Sequence, residues 1–194
     1  MSFLGVLMPF VVQNLGAGLI RFPFMKTLAT ISALVLAGGI ASAQAPATAS
    51  ATIKDAMDKT VGTATLRETS SGVLIKVDLT TAPAGTHALH VHTTGKCDAP
   101  MFTTAGGHFA PGMTKHGLLA AGGPHAGDLP NIYVPADGKL SMEILEPNVT
   151  LAAGPRSLLD ADGSAIVLHA MADDYMTDPA GNAGGRIACG VVSK

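Results

Sequence analysis

Residues 93–130 show neither the period of a helix nor the alternation of a strand. Stretches longer than about 12–15 residues without structure of their own are uncommon in compact domains unless they carry function or are disordered. A second such stretch runs from 170 to 186. Any fold for this chain has to accommodate both, and something besides an apolar core has to order them. The segments around them read as strands. Val73, Ile75, Val77 and Leu79 alternate with Leu74, Lys76, Asp78 and Thr80, the period-2 pattern of a half-buried strand. Val61–Glu68 is a Thr-rich strand, connected to the first by the hairpin residues Thr69-Ser70-Ser71-Gly72. Further strands are expected at Ala88–His92, Asn131–Val134, Leu140–Leu145, Ala165–His169 and Ile187–Val192, with turn chemistry at Pro135-Ala136-Asp137-Gly138. Seven or eight short strands between Gly- and Pro-rich turns predict an all-β sandwich or barrel with two long functional loops.

The N-terminal part differs in composition. Residues 1–43 contain no acidic side chain. Met25-Lys26 opens a short basic region, Leu28–Ile40 is apolar, and Ala41-Ser42-Ala43 precedes Gln44. This is the pattern of a secretory signal peptide over 25–43 cleaved after Ala43; the apolar run is shorter than the roughly 20 residues a bilayer-spanning helix needs. Residues 1–24 form a second apolar stretch, consistent with a start placed too early or with a retained membrane anchor. Membrane association is expected only if the leader stays. Residues 44–60 are expected to be a linker and residues 61–194 the folded domain. Beyond residue 43 the chain has ten basic and fourteen acidic side chains, a net charge of −4. That balance argues against a nucleic-acid partner, which requires clustered Lys and Arg.

The seven histidines all lie in this body. His90 and His92 sit two apart on an expected strand and so project from one face. His108, His116 and His125 follow in the first long loop, Asp128 comes three residues after His125, and His169 ends a late strand ahead of Asp173 and Asp174. Imidazole suits Zn, Cu, Fe and Ni, and a carboxylate can complete such a site. An isolated His-x-His pair signals a metal only weakly. Six histidines and an aspartate around Gly-rich loops in an exported chain signal one strongly.

The runs that hold these residues also carry a family resemblance. G-T-H-A-L-H-V-H-T-T-G-K-C from Gly85 to Cys97 resembles the copper-binding signature of copper/zinc superoxide dismutases. A-G-G-H-F-A-P from Ala105 is similar to the bridging-histidine motif, and K-H-G at Lys115 with P-H-A-G-D-L-P-N at Pro124 to the zinc loop. H-A-M-A-D-D-Y at His169 and G-N-A-G-G-R-I-A-C-G-V-V at Gly181 resemble the closing motifs. The resemblance runs from about Val61 to Val192. It implies an eight-stranded Greek-key β-sandwich that dismutes superoxide to oxygen and hydrogen peroxide. It further implies copper held by His90, His92, His108 and His169, and zinc held by His108, His116, His125 and Asp128, with His108 shared. Asp173 would bridge the outer nitrogens of His90 and His116, and His87 would hold backbone around the copper strand. Ala88 and Leu89 depart from the Gly and Phe common in the family, a difference of packing away from any ligand.

In an exported body, the two cysteines Cys97 and Cys189 suggest one disulfide; two free thiols acting as small core residues are the alternative. Arg186 matches the family's substrate-attracting arginine. The loop 170–185 contains no Lys or Arg, where several family members carry lysines, and Met171 and Met176 there are neutral. A periplasmic or secreted location follows from the leader. Monomer and homodimer both stay open.

Overall fold

The computed structural model describes residues 47–194; the expected signal peptide, its cleavage site and the apolar segment before it lie outside them. The described residues form nine strands: β1 (Thr48–Asp55), β2 (Thr60–Thr69), β3 (Gly72–Leu79), β4 (Gly85–His87), β5 (Leu89–His92), β6 (Ile132–Val134), β7 (Leu140–Glu146), β8 (Ala165–His169) and β9 (Arg186–Val191). One 3-10 turn, Thr103–Ala105, is the only helical element among the described residues. Seven strands form one curled antiparallel sheet in the order β5-β8-β9-β1-β2-β3-β7, and β4 pairs with β6 in a separate two-stranded ribbon. None of the described helical residues forms a helix long and apolar enough to cross a membrane.

All seven strands read from the sequence are present. The count rises to nine for two reasons. The expected linker 44–60 is corrected: Thr48–Asp55 is a strand inserted between β2 and β9. Its inward side chains are Ala49, Ala51 and Ile53, and the intervening Thr48, Ser50 and Thr52 are nearly as small, so the alternation has little hydropathy contrast. The second reason lies at Ala88. The chain from Gly85 to His92 pairs first with β6 and then with β8, and it changes partner there.

The period of two explains the core. Ile53, Leu66, Val73, Ile75, Val77, Leu89, Val91, Ile132, Val134, Ile166 and Leu168 all point into one buried cluster inside the curl. Each fully buried aliphatic side chain contributes about 1.5–3 kcal/mol relative to exposure. A smaller cluster lies on the outer face of β8 and β9, where Ala165, Val167 and Cys189 meet Phe102 and Ala105 of the first loop. All five residues of β8 are therefore buried. Cys97 and Cys189 are joined, with Cα atoms 5.6 Å apart, which fastens the start of that loop to β9.

Candidate metal centre

The sheet ends at β5, so one edge of that strand lacks a strand partner in the sheet order. Two pieces of the first loop cover it. Thr93 N donates to Gly107 O (2.9 Å), Phe109 N to Val91 O (2.8 Å), Val91 N to Gly127 O (2.9 Å) and Gly127 N to Phe109 O (2.8 Å). An exposed strand edge is thereby satisfied, and the pairing sets His92 opposite His108 and His90 opposite Asp128. Gly127 is required by space: a Cβ there would collide with Val91 O and with Phe109 N. The alternation of β5 does the rest. Leu89 and Val91 enter the core, while His90 and His92 face the loop.

At the end of β8 the pairing with β9 slips. Leu168 opposes Ala188, but His169 opposes Arg186, leaving Ile187 as the extra residue. Such a bulge re-aims the side chains beside it, and here it sits between His169 and Arg186.

Two four-residue groups of potential ligands result, and a third, His90, His116 and Asp173, takes one histidine from each. Donor atoms of His90, His92, His108 and His169 lie within 4.8 Å of one another, as do those of His108, His116, His125 and Asp128. His108 belongs to both. In the first group, His92 Nε2 and His169 Nε2 are 3.4 Å apart, and the His90 and His108 rings have centroids 4.0 Å apart. In the second, the Nδ1 atoms of His108, His116 and His125 lie 2.8, 3.1 and 3.1 Å from the same oxygen, Asp128 Oδ1. The other carboxylate oxygen accepts the N–H groups of Gly117 (2.9 Å) and His125 (3.0 Å).

The outer ring nitrogens of His90, His92, His116 and His169 are tied back to the protein. His90 Nε2 is 2.8 Å from Asp173 Oδ2, and His116 Nε2 is 3.0 Å from Asp173 Oδ1, so one carboxylate spans the two groups. His92 Nδ1 donates to Gly106 O at 2.9 Å. His169 Nδ1 lies 3.4 Å from Gly184 O. His87 reaches His169 O with Nδ1 (2.9 Å) and Pro83 O with Nε2 (3.0 Å), joining β4 to the end of β8. Anchors of this kind fix tautomer and ring orientation.

Buried nitrogens without partners indicate what the groups are built for. His90 Nδ1, His108 Nε2 and His116 Nδ1 make no hydrogen bond, the last although it lies 3.1 Å from Asp128 Oδ1. Leaving a buried polar atom unpaired costs about 1–3 kcal/mol, and all three rings belong to the two clusters. Desolvation favours the neutral form of three rings: burial pushes His92 down to about 2, His169 to about 3 and His108 to about 4, despite the Asp128 bond that favours the charged form of His108. Burial alone would raise Asp128. The His108 ring, the Gly117 N–H and the neighbouring imidazoles outweigh it and hold the carboxyl below its usual range. Imidazoles around a carboxylate are the donor set of a zinc or copper site.

Arg186 donates through Nη1 to Phe102 O and through Nη2 to Gly106 O, both at 2.6 Å. Gly106 O also takes the His92 proton, so one backbone carbonyl links the arginine to a histidine of the first group. The arginine lines a cavity of about 420 Å³ together with His92, His108, His125, His169 and Gly184. The carbonyls of Gly106 and Gly184 have no signature in the sequence, because a backbone acceptor is available at every residue.

Residues 60–192 match the family model for copper/zinc superoxide dismutase. This chain belongs to that family. It is 52% identical over 134 residues to superoxide dismutase [Cu-Zn] 1 of Aquifex aeolicus, covering 68% of this chain and 79% of that one. With the Caulobacter vibrioides superoxide dismutase [Cu-Zn] it shares 46% identity over 147 residues, covering 74% and 84%. Among solved structures, a double mutant of a superoxide-dismutase-like protein from Bacillus subtilis superposes with a TM-score of 0.71 at 39% identity, covering 73% of this chain and 95% of that one.

Proposed function

We propose that His90, His92, His108 and His169 hold copper, that His108, His116, His125 and Asp128 hold zinc, and that the protein works outside the cytoplasm after losing residues 1–43. The reaction is the dismutation of superoxide to oxygen and hydrogen peroxide, and copper and zinc are its metals. The ligand assignment rests on one observation above the others: the rings of His90, His108 and His116, each with a buried nitrogen that makes no hydrogen bond, belong to two donor groups that share His108. Two four-ligand sites need eight donors. Six histidines and one aspartate supply them only if one imidazole serves both.

Copper, when bound, supplies the one-electron chemistry, reduced by one superoxide and reoxidised by the next. Zinc has no redox chemistry and fixes geometry. The residues do the remaining work. Arg186 presents a fixed positive charge to the anion at the cavity shared with His92 and His169. Its two carbonyl partners keep the guanidinium from turning away. His108 is held at Nδ1 beside Asp128, so its Nε2 is the atom able to carry a proton toward the second superoxide. Asp173 holds His90 and His116 in register throughout.

A disulfide between Cys97 and Cys189 suits an oxidising compartment, and with the leader pattern it supports export. Elemental analysis of the mature chain loaded with both metals tests the ligand assignment. About one copper and one zinc per chain are expected, and His125→Ala should lose zinc while retaining copper. A single metal at a 1:1 ratio would remove the shared histidine. A mass beginning at Gln44 in material recovered outside the cytoplasm checks the processing.

A further inference from the structure

Tyr175 stands at the junction of three segments, and neither the metal ligands nor the arginine accounts for it. Its φ is 63°, in the left-handed region, where a bulky aromatic residue persists only when its surroundings hold it. Three contacts do so. Tyr175 N donates to Asp173 Oδ1 at 2.6 Å, on the oxygen that also faces His116 Nε2. Tyr175 O accepts from Leu119 N at 3.0 Å, just past His116 in the first loop. Tyr175 Oη accepts from Asn131 N at 2.6 Å.

Asn131 closes the circuit. It follows Asp128 by three residues, donates through Nδ2 to Asp173 O at 2.8 Å and accepts at Oδ1 from Asp173 N at 2.8 Å. Gly117 is pressed against the Tyr175 carbonyl with φ at +108°, so that neither a Cβ nor an ordinary backbone fits there. Gly181 leaves the space that the Asp173 carboxylate fills, since a Cβ there would collide with Asp173 Oδ1 and with His116 Nε2.

We propose that Tyr175 is a positioning residue that, through Asn131, locks the Asp173 carboxylate bridge and thereby sets the orientation of His90 and His116 together. The side chain touches no ligand. It acts through the backbone of Asn131 and through the turn that delivers the carboxylate. This rests on the copper and zinc ligands proposed for the site, since its effect is transmitted to His90 on one side and His116 on the other.

Tyr175→Phe deletes one oxygen and leaves both backbone bonds. Outer partners of metal-ligating histidines typically change metal affinity by about 10–100-fold. In the loaded protein, zinc release to a chromophoric chelator should be about tenfold faster than in the wild type, at the low end of that range. The copper electron paramagnetic resonance spectrum should shift as well, because His90 leans on the same carboxylate. The melting temperature of the metal-free chain should move little. Tyr133→Phe, on an exposed ring of β6, should alter none of these. Asn131→Asp keeps the acceptor for Asp173 N but removes the donor to Asp173 O, and it should release zinc faster too; it carries the test if Tyr175→Phe yields no folded protein. Unchanged zinc release and an unchanged copper spectrum would overturn the proposal. An equal fall in melting temperature with and without metals, at unchanged zinc release, would also overturn it by making Tyr175 a turn residue only. Metal stoichiometry of the wild type and of His125→Ala tests the ligand assignment separately.

Discussion

The wall made by β1, β2, β3 and β7 and the loop 93–130 are ordered by different physics. In the wall, every inward residue of β3 (Val73, Ile75, Val77 and Leu79) is buried among aliphatic neighbours, and the outward residues are polar or half-buried. The loop has few such anchors: Phe102, Ala105, Phe109, Ala126 and Leu129 are its buried apolar side chains. It is held by backbone pairing to the edge of β5, by the Cys97–Cys189 link, and by carboxylates that gather N–H groups and imidazoles. Burial of apolar area needs only the right side of a strand. The loop needs particular atoms, and three of its buried or bordering ring nitrogens make no hydrogen bond. The wall should therefore be indifferent to metals and acid, and the loop sensitive to both.

The largest expected effect is on turnover. His108→Ala removes the ring common to both donor groups and should lower superoxide dismutation by on the order of a thousandfold, about 4 kcal/mol in barrier. Copper and zinc content should both fall while the far-ultraviolet circular dichroism of the sheet persists. Pulse radiolysis with metal analysis checks it. If the sheet collapses as well, the two regions are not independent.

Acid should act through the same rings. His92, His108 and His169 stay neutral in the fold far below the ordinary histidine value, so below about pH 6.5 the unfolded chain binds more protons than the folded one. Stability of the metal-free protein then falls as pH drops from about 6.5 toward 4, by on the order of 1 kcal/mol per pH unit for each ring. Asp128 and Asp173, whose folded values are depressed, contribute stability above the usual carboxylate range that is lost only at lower pH. Chemical denaturation across this range reads the slope. A flat profile between pH 6.5 and 5 would mean that the rings become solvated before the chain unfolds.

Reduction of the disulfide comes next. Its ends are 92 residues apart, and for a ring of that size the chain-entropy estimate is about 4.6 kcal/mol. Amide exchange should speed up in 93–105 and on β9, with β2 and β3 nearly unaffected. Uniform loss of protection would show that the link stabilises the sheet and not the loop.

Ile75→Ala attacks the wall itself. The side chain is fully buried, and its truncation should cost about 3 kcal/mol. The loss should be the same with and without metals, measured by denaturant titration. Arg186→Ala has the smallest expected effect. Turnover should fall several-fold at low salt with metal content unchanged. The salt dependence should flatten, since the attraction it removes is screened over about 8–10 Å near physiological ionic strength. Equal rates in the two proteins would leave the arginine a brace for Phe102 O and Gly106 O.

Much of this was legible from residue order. Alternation along β3 and β7 follows from the two-residue repeat of a strand, and the same repeat puts His90 and His92 on one side of β5 and Leu89 and Val91 on the other. The same rule failed for β1, because Ala49 and Ala51 differ little in hydropathy from Thr48 and Ser50. The two long stretches were recognisable as needing another source of order, and the resemblance of their motifs named the family. The sequence could not say that Tyr175 and Asn131 would meet, 44 residues apart, or that Arg186 and His92 would share the carbonyl of Gly106.

What residue order determined by itself, then, was everything that depends on near neighbours: the faces of the strands, the turns and the stock of histidines and carboxylates. Tertiary structure decided everything that depends on which distant segments touch. It moved the chain from one strand partner to another at Ala88, and it laid residues 107–109 and 126–128 along the edge of β5. It placed a bulge between His169 and Arg186, and it closed one carboxylate, Asp173, over two rings. The physical reason is that side-chain direction is fixed by local backbone geometry, whereas convergence of donors is fixed by strand pairing and by the backbone N–H and C=O groups that satisfy it. Those groups are the same at nearly every residue and leave no mark in the sequence.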